Sequence, residues 1–94
     1  MSNSENQKNN QNFRSNSGEL NFRIQKHLGI LSTGKSGWTK EVNLVSWNDR
    51  PGKLDIRDWN PEHEKMGKGL TFNGSEVAYL KDILKNFDIA EAGI

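Results

Sequence analysis

In the run KLDIRDW, Lys53, Asp55, Arg57 and Trp59 occupy alternate positions, with Leu54 and Ile56 between them. Side chains of a β-strand alternate between its two faces, so such a run sorts itself. Leu54 and Ile56 face a core, and the charges and the indole face away from it. A second run, GWTKEVNLVSWN, sorts in the same way. Val42 and Leu44 go inward, which turns Asn43, Val45 and Trp47 outward. Paired as a hairpin around Asp49–Gly52, the two runs would gather Trp47, Trp59, Arg57 and Lys53 on one face. That surface suits a ligand with flat rings and a line of negative charge. An unpaired nucleic-acid strand is such a ligand: aromatic side chains stack its bases at roughly 1–3 kcal/mol each, and cations follow its phosphates. Stacking is indifferent to base identity, so the binding expected is largely sequence-independent.

Each of these residues also has a purely structural reading. An indole in a small domain is commonly a core or interface residue, and Trp38 shares the parity of Val42 and Leu44, which suits packing. Arg57 could spend its charge on Asp55 or Asp58 as a surface pair of little energetic value. Lys68 has the parity of Leu70 and Phe72, which would turn it inward. His63 lies between Glu62 and Glu64, but neighbours in a loop make a poor chelate without further ligands, so no metal site is assigned. His27 is remote in sequence. Gly67-Lys68-Gly69 has neither the length nor the Ser/Thr of a phosphate-binding loop, and no nucleophile–base set is present. The chain is read as a non-enzyme without a cofactor.

The elements that must hold these residues follow from periodicity. Residues 1–20 are Asn-, Gln- and Ser-rich with a lone Phe13, and are expected to be a disordered polar tail. The folded domain is placed at residues 21–90, and residues 91–94 are expected to fray. FRIQKHLGILST, GWTKEVNLVSWN, KLDIRDW and GKGLTF read as four strands, with turn signals at Gly34–Gly37 and Asp49–Gly52. Asn73 and Glu76 form a capping box for a helix whose apolar stripe is Val77, Leu80, Ile83, Leu84 and Phe87. The fold class is therefore α+β: a four-stranded antiparallel sheet followed by one C-terminal helix that covers one sheet face.

Composition sets the bounds. The 94 residues suffice for one small domain, and 32% hydrophobic content with no cysteine gives a single copy a thin core and no covalent staple. The net charge of +1 excludes a generally basic nucleic-acid binder and leaves only a local cluster. No apolar run approaches the roughly 20 residues that span a bilayer, and residues 1–13 lack a signal-peptide core. A cytoplasmic location is expected, nucleoid-associated if the protein is bacterial.

Three blocks at this spacing carry a resemblance: DIRDW (55–59), KMGKGLTFN (65–73) and the helix with Leu80 and Lys81. Together they resemble the positive cofactor four family of transcriptional coactivators, closest to its bacterial, YdbC-like branch. The LGILS and GWTKEVNLVSWN blocks look similar as well. The resemblance covers about residues 20–88, and it implies a homodimer that binds single-stranded DNA in grooves lined by its sheets. Carried over by position, the family's strand arginine and tryptophan fall on Arg57 and Trp59, and its basic residues before the last strand on Lys65 and Lys68. The family's aromatic before the third strand falls at or beside Trp47. On this reading Trp47 and Trp59 stack bases, and Lys53, Arg57, Lys65 and Lys68 contact phosphates. Lys26 and Arg50 contribute at the rim, with Trp38 as a further candidate. The long serine- and lysine-rich arm of the eukaryotic coactivators is missing, which separates DNA binding from coactivation. Two other partners suit the same face: a protein of the transcription machinery, because aromatics and arginine are enriched in protein interfaces, and RNA, because stacking does not read the 2′-hydroxyl.

Overall fold

The computed structural model describes residues 20–94, so the expected tail lies almost wholly outside the described residues. Four strands, β1 (Phe22–Thr33), β2 (Thr39–Trp47), β3 (Lys53–Trp59) and β4 (Met66–Phe72), precede helix α1 (Gly74–Lys85) and a one-turn helix α2 (Ile89–Ala92). The strands form one antiparallel sheet in sequence order. The α+β reading holds, with its sheet followed by a C-terminal helix.

Two local expectations are corrected. The turn after β2 is Trp47–Arg50 rather than Asp49–Gly52: the Arg50 N–H donates to the Trp47 carbonyl at 2.9 Å. Its central residues, Asn48 (φ 51°) and Asp49 (φ 62°), are both left-handed. Asn and Asp tolerate that region better than other side chains, and the pairing is the φ signature of a type I′ hairpin turn. At the C-terminus, where loose chain was expected, Asp88 caps α2 by accepting the Glu91 N–H at 3.0 Å, and Gly93 closes it at φ 78°. The capping box on α1 forms as read: Asn73 Oδ1 accepts the Glu76 N–H and Glu76 Oε1 accepts the Asn73 N–H, each at 2.9 Å.

The sheet is curled. β1 shifts register against β2 three times, between Ile24 and Lys26, His27 and Gly29, and Ile30 and Ser32. β4 shifts once against β3, opposite Arg57–Trp59. Each such bulge bends the strand and adds twist. Phe22 pairs with Trp47 at one end of β2 and Trp59 with Thr39 at the other. A flat strand would separate those ends by roughly 26 Å. Yet the Phe22 ring lies 6.1 Å from that of Trp47 and 5.2 Å from that of Trp59, centroid to centroid. Only a trough brings them together.

Burial follows the curl and reverses one expectation. Inside the trough Asn43, Val45, Asp55 and Trp59 are 0% exposed and Glu41 2%. The apolar face with Val42, Leu44, Leu54 and Ile56 is only half-buried. Among the described residues α1 reaches only β3 and β4, and none of its own residues is buried. The helix therefore does not seal a sheet face, and the polar side of the sheet is the enclosed one. The concave side of a bent sheet crowds its side chains together, while the convex side splays them apart.

Candidate nucleic-acid interface

Arg57 is the post of the trough. Its Nε and Nη2 donate to the two carboxylate oxygens of Asp55 at 2.7 and 2.8 Å, a fork that only guanidinium can make. Nη1 faces the Gly67 carbonyl and the Met66 sulfur, both at 3.4 Å. The guanidinium carbon sits 4.7 Å from the Trp47 ring centroid, in cation–π range. The Asp55 side chain is 0% exposed and that of Arg57 13%. Two expectations are thereby corrected. The pair is neither an exposed one of small value nor a guanidinium free for phosphate, because Asp55 already cancels its charge. The second glycine of the GKG step gains a reason as well. A Cβ at Gly69 would run into the Cβ of Arg57 and the backbone carbonyl of Ile56.

Trp59 lies at the far end of the floor. His63 stacks on it at 5.7 Å with an interplanar angle of 30°, Phe22 closes another side, and no surface remains exposed. Its predicted role as a base platform is corrected: a base cannot stack on a ring that is covered. Trp47 keeps partial exposure. The indole N–H groups of both tryptophans are buried without an acceptor among the described residues. Such donors cost about 1–3 kcal/mol when unpaired.

Between the two indoles runs a polar network that sequence reading missed. Glu41 takes hydrogen bonds from the Thr39 hydroxyl, from Asn43 Nδ2 at 3.2 Å and from His63 Nε2 at 2.9 Å. His27 Nδ1 donates to the Asn43 side-chain oxygen, Oδ1, at 2.7 Å and lies 3.6 Å from Glu41. A carbonyl and a carboxylate only accept, which places the ring hydrogens on His27 Nδ1 and His63 Nε2. Burial alone would push the Glu41 carboxyl up. The hydrogen bonds from Thr39, Asn43 and His63, with the charge of His63, outweigh it and hold the group below its ordinary value. His63 thus turns away from Glu62 and Glu64 and toward a strand. The one sequence signal for this network was the alternation of Glu41 and Asn43 with Val45.

The cations divide into two groups. Lys53 pairs with Val45 near the Trp47 end, and Arg50 is exposed in the adjoining turn. Lys65 and Lys68 are exposed at the Trp59 end. The β4 register shift falls between Met66 and Gly69 and interrupts the alternation at Lys68. Lys26 is corrected: its register partner is Leu44, on the apolar face, so it does not share the trough with the others. Trp38 is half-buried just before β2.

The family model of the Transcriptional Coactivator p15 (PC4) matches residues 35–83, more than half of the chain. The chain belongs to this family. A relative in Treponema pallidum (strain Nichols), described only as an uncharacterized protein, is 39% identical over 71 residues, which are 76% of this chain and 84% of that one. The PC4 match begins before Trp38 and ends within α1, so it contains β2, β3 and β4 and the loop bearing Lys65. β1, with Phe22 and His27, lies outside it. No helix among the described residues is long and apolar enough to cross a membrane.

Proposed function

We propose that this PC4-family chain is a homodimeric, non-enzymatic protein that binds single-stranded DNA with little sequence preference, and that it acts in the regulation of transcription. The observation that carries the reading is the family match, which spans Trp47, Lys53, Lys65 and Lys68 together with the Asp55–Arg57 post beneath them. In this reading Trp47 offers the stacking surface. Lys53 and Arg50 hold phosphates at one end of the trough, Lys65 and Lys68 hold them at the other, and Trp38 flanks the path. Arg57 and Trp59 act from below by keeping the trough curled.

Tryptophan fluorescence titrated with oligo(dT) tests the function. Quenching that salt reverses is expected, and a duplex of equal length should compete poorly. RNA of matched sequence in the same assay ranks the two single strands. Each phosphate neutralised on a single strand contributes a slope of about −0.7 to log K against log salt. The variant with Lys65→Ala and Lys68→Ala should flatten that slope by about 1.4 on every sequence. An unchanged slope would remove both lysines from the interface.

The homodimer draws its support from α1 and the residues just beyond it. Tyr79, Ile83, Leu84 and Phe87 are 73, 67, 53 and 46% exposed, an apolar stripe that water disfavours and that a second copy would cover. Replacing Phe87 or Ile83 with Asp should convert a dimer into a monomer in analytical ultracentrifugation. A wild-type chain that sediments as a monomer at micromolar concentration would end this part of the reading.

A further inference from the structure

The chain has two histidines, and the fold aims both at one carboxylate. His63 Nε2 stands 2.9 Å from Glu41, while His27 at 3.6 Å spends its hydrogen on Asn43. The carboxylate is buried, yet the His63 and His27 side chains are 42% and 51% exposed. Solvent can therefore deliver a proton to either ring while the partner anion stays enclosed.

His63 also governs its loop. It is left-handed at φ 58°, a conformation uncommon outside glycine, so its contacts must hold it there. Its own N–H donates to the Asn60 carbonyl at 2.9 Å. The Asn60 side-chain oxygen accepts the N–H groups of Glu64 and Lys65 at 2.8 and 2.9 Å, and the Asn60 N–H donates to the Lys65 carbonyl at 3.1 Å. The turn is closed on itself and tied to the sheet through the His63–Glu41 bond and the stack of His63 on Trp59. Lys65 sits at its exit and Lys68 just beyond.

We propose that Glu41 and His63 are a positioning pair that sets this loop for single-stranded DNA, and that uptake of one proton by His63 tightens the grip. This rests on the function proposed above. The proton comes from solvent and adds at Nδ1, because Nε2 already carries the hydrogen given to Glu41. The bond, until then between a neutral ring and an anion, becomes a hydrogen-bonded pair of opposite charges. Other groups also surround Glu41. Thr39 and Asn43 on β2 are neutral, and Arg57, its register partner on β3, is held by Asp55. Lys40 on β2, Glu62 and Glu64 beside His63, and Lys65 are the other charged groups of these elements. His27 on β1 is the other histidine that faces Glu41.

The test compares oligo(dT) affinity at pH 5.5 and 8.0, at constant ionic strength, for the wild type, His63→Gln and His27→Gln. Gln supplies a donor of similar reach that never titrates. The wild type should bind on the order of fivefold tighter at the lower pH. His63→Gln should lose most of that response and His27→Gln should keep most of it. A full response in His63→Gln, or an equal loss in both variants, overturns the proposal, since general charge would then account for the effect. Should no form bind oligo(dT) at either pH, the proposed function fails, and amide exchange judges the pair alone. Glu64 and Lys65 should then be better protected at pH 5.5 in the wild type and not in His63→Gln. Equal protection at both pH values overturns it.

Discussion

Replacing Arg57 with Ala should destabilise the fold by about 3–5 kcal/mol, because it strands a fully buried carboxylate. Asp55 would keep its desolvation cost and lose both of its donors. The Trp47 ring would lose the guanidinium on its face, and the Gly67 carbonyl a neighbour. Urea unfolding measures the loss as a lower midpoint at unchanged slope. Arg57→Lys should recover little of it, since an ammonium cannot span both carboxylate oxygens. Replacing both partners with apolar residues of similar volume should be milder than the single change, as removal of a whole buried pair often is. An Arg57→Ala protein as stable as the wild type would mean that the pair does not hold the trough.

The second large effect is at Trp59, where truncation to Ala should cost about 3–5 kcal/mol of stability. The ring fills the space among Phe22, His63 and the sheet and is wholly buried there. Trp47→Ala should behave differently. Its ring keeps exposed surface, so the expected loss is in DNA affinity, roughly 1–3 kcal/mol on every sequence if it stacks one base. Paired measurements of melting temperature and oligo(dT) affinity separate the two indoles. Trp59→Ala with normal stability and weak binding would show that ligand reaches Trp59 after all. That outcome would restore the role expected from the strand pattern.

The two indoles look alike in sequence: each ends a strand on the parity opposite to Val42, Leu44, Leu54 and Ile56. Parity assigned them correctly to one face. It said nothing about whether that face was open, because exposure depends on curvature. The same limit applied to Arg57, whose charge was visible but whose partner and depth were not. At Lys68 one extra residue in β4 interrupts the alternation, so strand parity has no hold there. The His63–Glu41 contact was illegible because it joins residues 22 positions apart through a left-handed loop residue that no local rule predicts.

What the chain by itself determined were the features with short-range causes. Alternating apolar residues set four strands and their faces, Asn73 with Glu76 set the start of α1, and the Asp55–Trp59 and Lys65–Asn73 blocks indicated the family. Tertiary structure decided which face closes. Three register shifts in β1 and one in β4 bend the sheet, and the bend turns a row of polar side chains into a buried network. Bulges arise where strands find their best mutual fit, so the energy that places them belongs to the pair of strands and is written in neither one alone.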